Sequence, residues 1–325
     1  MLARVAAPLL LALVLVGCGD AGDPPESTPA GREDAASAKQ IKRNAANAAT
    51  TLTIASKDFT EEFILGEIYA QALAAGGYKV RKRLNIGSEK VAFAAVKSGK
   101  VDAYPEYTGT ALTTFFGVPT DKIPKDEQQA YDQAKASFAK QRVTALPPTP
   151  FTNSNAVGMT QVRAQELGIK TISDLKSKAS RLTLSGSKEC RTRLDCKLGL
   201  EQTYGLKFKR FLPTELADRH SVLTNGEADV SIVFSTDGQI AADDLLVLED
   251  DKKLFPPYNV SLVVNDKAAK AAGPDLPKIV AQVQQDLSTK VMQELNSRVD
   301  LDKEKPAAVA RAYLEQFGYV TPSAG

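Results

Sequence analysis

The feature that most restricts how this chain can fold is a pattern that occurs twice. Ser98-Gly99-Lys100-Val101-Asp102-Ala103 is answered much later by Asn225-Gly226-Glu227-Ala228-Asp229-Val230. In each copy a helical pattern ends at a glycine suited to the left-handed position after a helix, and an apolar run with an aspartate at its start follows. Each copy therefore reads as a helix feeding a strand. Carried forward at the same offset, Tyr107 falls opposite Phe234, so an aromatic residue ends both strands. Ligands of open α/β sheets gather at the carboxyl ends of strands, and two such ends, one per lobe, can face each other across a cleft. Taken singly, each ring is better read as an ordinary core aromatic, and it is the repeat that brings the two readings level.

The first half opens with Leu52-Thr53-Ile54-Ala55, a short buried-strand pattern, then Ser56-Lys57-Asp58-Phe59-Thr60-Glu61. Asp58 or Thr60 is expected to cap a helix carrying Phe63, Ile64, Ile68 and Leu73, which Gly76-Gly77 stops. A strand over 79–84 and a helix over 90–98 complete a βαβαβ unit and predict a mainly parallel sheet. Leu182-Thr183-Leu184-Ser185 followed by Gly186-Ser187-Lys188 echoes this start, so a lysine follows the first strand of both lobes. The stiff Pro147-Pro148-Thr149-Pro150-Phe151 marks a crossing between lobes, and Phe255-Pro256-Pro257-Tyr258 marks the return. Two crossovers make a hinge that permits closure on a ligand. Residues 276–319 read as helices packing back on the first lobe.

At the N-terminus, Arg4 precedes an apolar run over 5–16, too short to span a membrane and suited to a signal peptide. Gly17 before Cys18 fits a lipobox, which would make Cys18 the acylated start of the mature chain. Residues 18–50 hold Ile41 as their only large apolar residue and are expected to form a disordered tether with a reach of roughly 30 Å. The domain plan is therefore signal peptide 1–17, tether 18–50, lobe 1 over 51–152 and 257–325, and lobe 2 over 153–256.

A formal net charge of +2 gives no reason to expect a nucleic-acid partner. The single histidine, His220, is expected on an exposed helix start. With no GxSxG, Walker or GxGxxG pattern, catalytic residues and cofactors are not expected. The many carboxylates, interleaved with lysines at helical spacing, read as solvated faces. Cys190 and Cys196 in ECRTRLDC are expected to bridge in an exported protein, contributing about 2 kcal/mol and fixing a loop shape. A metal site is the poorer alternative, since there is no CxxC and His220 is remote.

SKDFTEEFILGEIYAQ, VDAYPEYTGTALTTFFG, TISDLK, KLGLEQTYGLKF, FSTDGQI, LVLEDDKKLFPPY and MQELNSRVD together resemble the solute-binding lipoproteins of osmoprotectant ABC importers, the glycine betaine, choline and carnitine binders similar to ProX and the OpuBC/OpuCC proteins. The resemblance implies an α/β, type II periplasmic-binding-protein fold with the ligand between two lobes. It also implies an aromatic cage for a quaternary ammonium at Tyr107, Asn155, Phe234 and Tyr258; Asn155 departs from the expected ring. For the ligand carboxylate it implies Lys57, Thr110 and Arg193, with Asn153 and, less directly, Asp58 and Asp237 adding hydrogen bonds or serving only as caps and turns. The implied ligand is a betaine-like zwitterion, with carnitine, ergothioneine or choline as alternatives. The implied partners are a permease and ATPase on other chains, reached by a lipid-anchored monomer outside the cytoplasm. A sensor on the same fold is the rival reading.

Overall fold

The computed structural model describes residues 39–322. The expected signal peptide, Cys18 and the tether up to residue 38 lie outside the described residues. Two five-stranded sheets organise the chain. In the first, β1 (Thr51–Ala55) pairs in parallel with β2 (Lys79–Arg83) and β3 (Ala103–Tyr107). On the far side of β3, β10 (Val260–Asn265) runs antiparallel and carries β4 (Val143–Ala145) at the edge. The second sheet repeats this plan. There β6 (Thr183–Gly186) lies between β7 (Arg210–Pro213) and β8 (Val230–Phe234), all parallel, followed by β5 (Asn155–Thr160), antiparallel to β8, and by β9 (Leu245–Val247), antiparallel to β5.

The twofold sequence pattern becomes one local structure built twice. Gly99 and Gly226 both adopt left-handed φ, +76° and +71°, which a β-carbon would strain. The aspartate that follows ties each third strand to the first. Asp102 Oδ2 accepts from Thr53 N at 2.7 Å, and Asp229 Oδ2 accepts from Thr183 N at 2.9 Å. Strands β3 and β8 then end on Tyr107 and Phe234.

In each sheet four of the five strands run in one direction, as the sequence leads one to expect, and a single strand is reversed. The reason lies in the crossovers: β5 and β10 are the first strands laid down after the chain arrives from the other lobe, and both enter against the direction of their neighbours. The two crossing segments pair with each other, through a bridge between Thr152 and Asn259 and a bond from Tyr258 N to Thr152 Oγ1 of 2.7 Å. Asn259 Nδ2 also donates to the carbonyls of Thr149 and Phe151.

Helix α1 (Thr60–Ala75) lies buried on most of its circumference against the first sheet and the C-terminal helices α2 (Asp275–Gln284), α3 (Thr289–Asp300) and α4 (Pro306–Gln316). The expected cap is absent. Phe59 occupies the N-cap position, Thr60 Oγ1 donates to Asp300, and Glu62 reaches back to accept from Lys57 N. Residues 39–50, expected to belong to the tether, are instead part of the folded body. Ile41 is buried in the first-lobe core, its amide donates to Tyr319 O, and Lys39 pairs with Asp286. One well-placed isoleucine and a few hydrogen bonds suffice to dock a segment whose composition reads as unstructured.

Candidate functional site

A cavity of about 750 Å³ opens between the sheets. It is lined by the ends of β1, β3 and β8, the start of β5 and the residues entering β10, so the fold converges its loops on one space. Lys57, Asp58, Tyr107, Thr110, Asn153, Asn155, Arg193, Phe234, Asp237 and Tyr258 all face it. The structure therefore brings every residue of the expected site together. It also changes what several of them do.

Lys57 is 4% exposed and is held by carboxylates. Its Nζ donates to Glu106 Oε1 at 2.7 Å and lies 3.5 Å from Glu62 Oε1. It sits 4.4 Å from the centroid of the Tyr107 ring. Burial alone would lower the lysine pKa, but Glu106 and Glu62 outweigh it and raise it. Glu106 is the hub of the YPEY segment, accepting also from Tyr107 N and from Tyr104 OH at 2.8 Å. Burial pushes Glu62 up to about 8 against the pull of Lys57.

Glu61 forms the floor of the cavity at 3% exposure. Tyr107 OH donates to it at 2.7 Å, Asn153 Nδ2 at 3.0 Å and Asn296 Nδ2 at 3.0 Å. Burial raises its pKa, only partly opposed by these neutral donors and by Thr236. When ionised, a carboxylate held here by neutral donors is a local source of negative potential at the cavity wall.

On the second lobe, Cys190 and Cys196 form the expected disulfide. Inside this loop Arg193 turns its fork onto Asp195, with Nε donating to Oδ1 at 2.7 Å and NH2 to Oδ2. Asp195 is buried and also takes Asn155 Nδ2, which donates to its carbonyl at 3.0 Å and its carboxylate at 3.3 Å, and Tyr258 OH at 3.4 Å. Asn155 thus braces the loop that carries Arg193, holding both the backbone and the side chain of Asp195.

Arg219, Asp237 and His220 form a second such unit. Both Arg219 Nε, at 2.9 Å, and NH2 donate to Asp237, and His220 Nε2 lies 2.8 Å from Asp237 Oδ2. Burial alone would raise Asp237, but the hydrogen bonds from Arg219 and His220 hold it below the ordinary carboxylate range. Asp237 Oδ2 also accepts from Phe234 N at 2.8 Å and fixes the strand end. His220 is buried, not exposed as expected, because it completes this unit. The Arg219 guanidinium lies 4.8 Å from the Phe234 centroid.

Phe59 adds a ring that the sequence did not point to. It is 39% exposed, faces the cavity and lies 6.0 Å from the Tyr107 ring. Four aromatic side chains, Phe59, Tyr107, Phe234 and Tyr258, therefore border one space with carboxylates below them, an arrangement that attracts a poorly hydrated cation. Glu61, Arg219, Thr236 and Asn296 were also not foreseen. For the glutamates a signal existed: Glu61 and Glu62 have Leu65 and Gly66 four residues on, where a solvated face would offer lysine. Among the described residues no cluster of His, Cys, Asp and Glu could hold a metal ion, and no helix is long and apolar enough to cross a membrane.

Residues 50–316 match the family model described as the substrate-binding domain of ABC-type glycine betaine transport systems. A glycine-betaine-binding protein of Pseudomonas aeruginosa is 32% identical over 279 residues, covering 82% of this chain and 88% of that protein. The carnitine transport binding protein OpuCC of Listeria monocytogenes is 29% identical over 273 residues, covering 83% of this chain and 87% of the relative. A crystal structure of a glycine betaine/carnitine/choline ABC transporter superposes with a TM-score of 0.75 at 28% identity, across 82% of this chain and 99% of its own.

Proposed function

The chain belongs to the family of substrate-binding domains of ABC-type glycine betaine transport systems, and on that premise we propose that it captures a quaternary-ammonium, betaine-like solute in its interlobe cavity and presents it to a membrane permease. The observation that carries the reading is the ring of Phe59, Tyr107, Phe234 and Tyr258 above the buried Glu61 carboxylate. A methylated ammonium cannot donate a hydrogen bond. It can be held by ring faces and by negative potential, at about 0.5–2 kcal/mol per face.

The ligand carboxylate goes to Arg193, whose side chain is half exposed at the cavity wall, with Thr110 opposite. Lys57 lies against the Tyr107 ring and steadies the Tyr107 backbone amide through Glu106. Asn153 ties the hinge to Glu61, and Asp58 and Asp237 border the opening and brace Phe234 respectively. Closure brings the Arg193 loop and Phe234 onto the ligand. The acylated Cys18 would keep the protein at the outer face of the membrane, near the permease and its ATPase.

A thermal-shift panel of glycine betaine, proline betaine, carnitine, choline, ergothioneine and common amino acids tests this directly, since a ligand that binds only the folded state raises the melting temperature by mass action. The expected hit is a methylated ammonium with a dissociation constant in the micromolar range, about −8 kcal/mol. Arg193→Ala should abolish betaine binding in calorimetry, while Glu304→Ala, which breaks only the outer pair with Arg298, should leave it intact. Equal affinity in both variants would remove Arg193 from the site.

A further inference from the structure

The outer edge of the first sheet carries a charge that nothing above uses. Strand β2 reads Lys79-Val80-Arg81-Lys82-Arg83 and has no neighbour on its far side. Its alternation sorts these side chains by face. On one face Val80 packs against the first-lobe core and Lys82 pairs with Glu67 of α1. On the other, Lys79, Arg81 and Arg83 stand exposed, in register with Thr51, Thr53 and Ala55 of β1. The helix Glu89–Ser98 packs over β3 and β10, so the three cations of the edge keep an open face. Lys42 and Arg43, also exposed, join the start of the strand, because Asn44 N donates to Gly76 O and Lys79 N to Thr50 O, each at 3.1 Å. Among the described residues none of Lys42, Arg43, Lys79, Arg81 and Arg83 makes an ion pair. The acids of this region are engaged elsewhere: Glu67 with Lys82, Asp102 with Thr53 N, and Asp275 with Asn44 and Asn47. Charge on an edge strand commonly serves to keep other strands from pairing with it. That role does not call for Lys42 and Arg43, which lie outside the strand.

We propose that this cationic edge is a docking face for a surface of anionic phospholipid headgroups, which holds the first lobe edge-on against the membrane. Two observations select that occupant. The cations lie on an open sheet face, outside the cavity between the lobes, and so suit a plane of phosphates better than a single small anion. The chain also enters the folded body beside them, at Lys39 and Ile41. Even fully extended, the residues from Cys18 to Lys39 span at most about 75 Å, so an acyl group on Cys18 would keep the edge within reach of lipid. The identity of the solute does not enter. Each cation held at an anionic bilayer strengthens partitioning by about fivefold, and screening by salt weakens it.

The test is co-sedimentation with vesicles of the chain over residues 18–325, carrying Cys18→Ser so that neither the apolar N-terminal run nor an acyl chain contributes. One set of vesicles is pure phosphatidylcholine, the other phosphatidylcholine and phosphatidylglycerol in equal parts. Binding is expected only to the anionic set, and salt at about 1 M, where the screening length is about 3 Å, should abolish it. Lys79→Gln, Arg81→Gln and Arg83→Gln combined should lower partitioning by about 100-fold. Lys176→Gln, Lys207→Gln and Lys209→Gln combined, at exposed positions of the second lobe, remove the same net charge and should leave it within about twofold. Lys79→Glu, Arg81→Glu and Arg83→Glu combined keep the edge charged against strand pairing, so that variant should stay soluble and melt as the parent does while losing the vesicles. The proposal is overturned if the parent binds both vesicles alike or neither, if the two glutamine variants lose equally, or if the glutamate variant binds as the parent does. A parent that holds duplex DNA and neither vesicle would replace the lipid partner with a nucleic acid.

Discussion

The residue with the largest ratio of expected effect to structural risk is Phe59. It is the most solvent-accessible of the four rings, so Phe59→Ala should change stability by less than about 1 kcal/mol while costing about 0.5–2 kcal/mol of affinity for a methylated ammonium. Calorimetry with and without the substitution checks this, and unchanged affinity would remove Phe59 from the cage. Glu62 makes a prediction about pH. Its carboxyl titrates near 8 in the folded protein and in the ordinary range when unfolded, so the folded state holds the extra proton in between. Its stabilisation is complete below the unfolded value and is lost as pH rises toward 8, at no more than about 1.4 kcal/mol per unit. Glu61 acts in the same direction. Melting temperature should therefore fall between about pH 5 and pH 8, and Glu62→Gln should flatten that fall. At this scale the sequence was legible for position more than for partnership. It placed Lys57, Tyr107, Arg193, Phe234 and Tyr258 around one space, but it could not show that Glu106, Asp195 and Asp237 were waiting for three of the neighbouring cations, because each pairing depends on loops meeting in three dimensions.

At the scale of elements, the repeat around Gly99 and Gly226 was readable because it is local: a left-handed glycine, an aspartate and a strand follow one another in a few residues. The direction of β5 and β10 was not, since it is decided by where the chain comes from. The disulfide loop was foreseen as a pair of cysteines, but its seating depends on the helix Lys197–Tyr204 that follows it. Gly199 there leaves no room for a side chain. A β-carbon would lie 1.9 Å from Leu194 O, a backbone atom that can yield only by moving the loop. Gly199→Ala should therefore destabilise by about 1–3 kcal/mol and should weaken ligand binding further by displacing Arg193 and Asp195. Thermal melts and calorimetry on the same variant separate the two effects, and a variant with normal melting and normal affinity would show that the loop position is not critical.

For the molecule as a whole, the two halves are joined by more than the crossing segments. Asn296 of α3 donates both to Glu61 beneath the first sheet and to Thr236 O beyond β8, and Gln293 donates to Ser235 O. Gly238 lies so close to Ser297 that a β-carbon would come within 2.4 Å of its backbone nitrogen. Asn296→Ala should cost about 1–3 kcal/mol by leaving Glu61 short of a donor, and small-angle scattering of the free protein should report a larger radius of gyration. An unchanged radius would mean that these contacts do not govern the spacing of the halves. Docking of α2, α3 and α4 on the first lobe was legible from sequence; their grip on the second was not, since it uses uncharged amides whose targets are backbone carbonyls.

The strap through Ile41 and the turn at Tyr319 lie side by side on the same half of the molecule. The second half is thus an insert, spliced into the first with neither chain end of its own. A pull on either terminus is borne by one sheet alone, and the inserted half is left to swing like a door whose frame is the only part fastened to the wall.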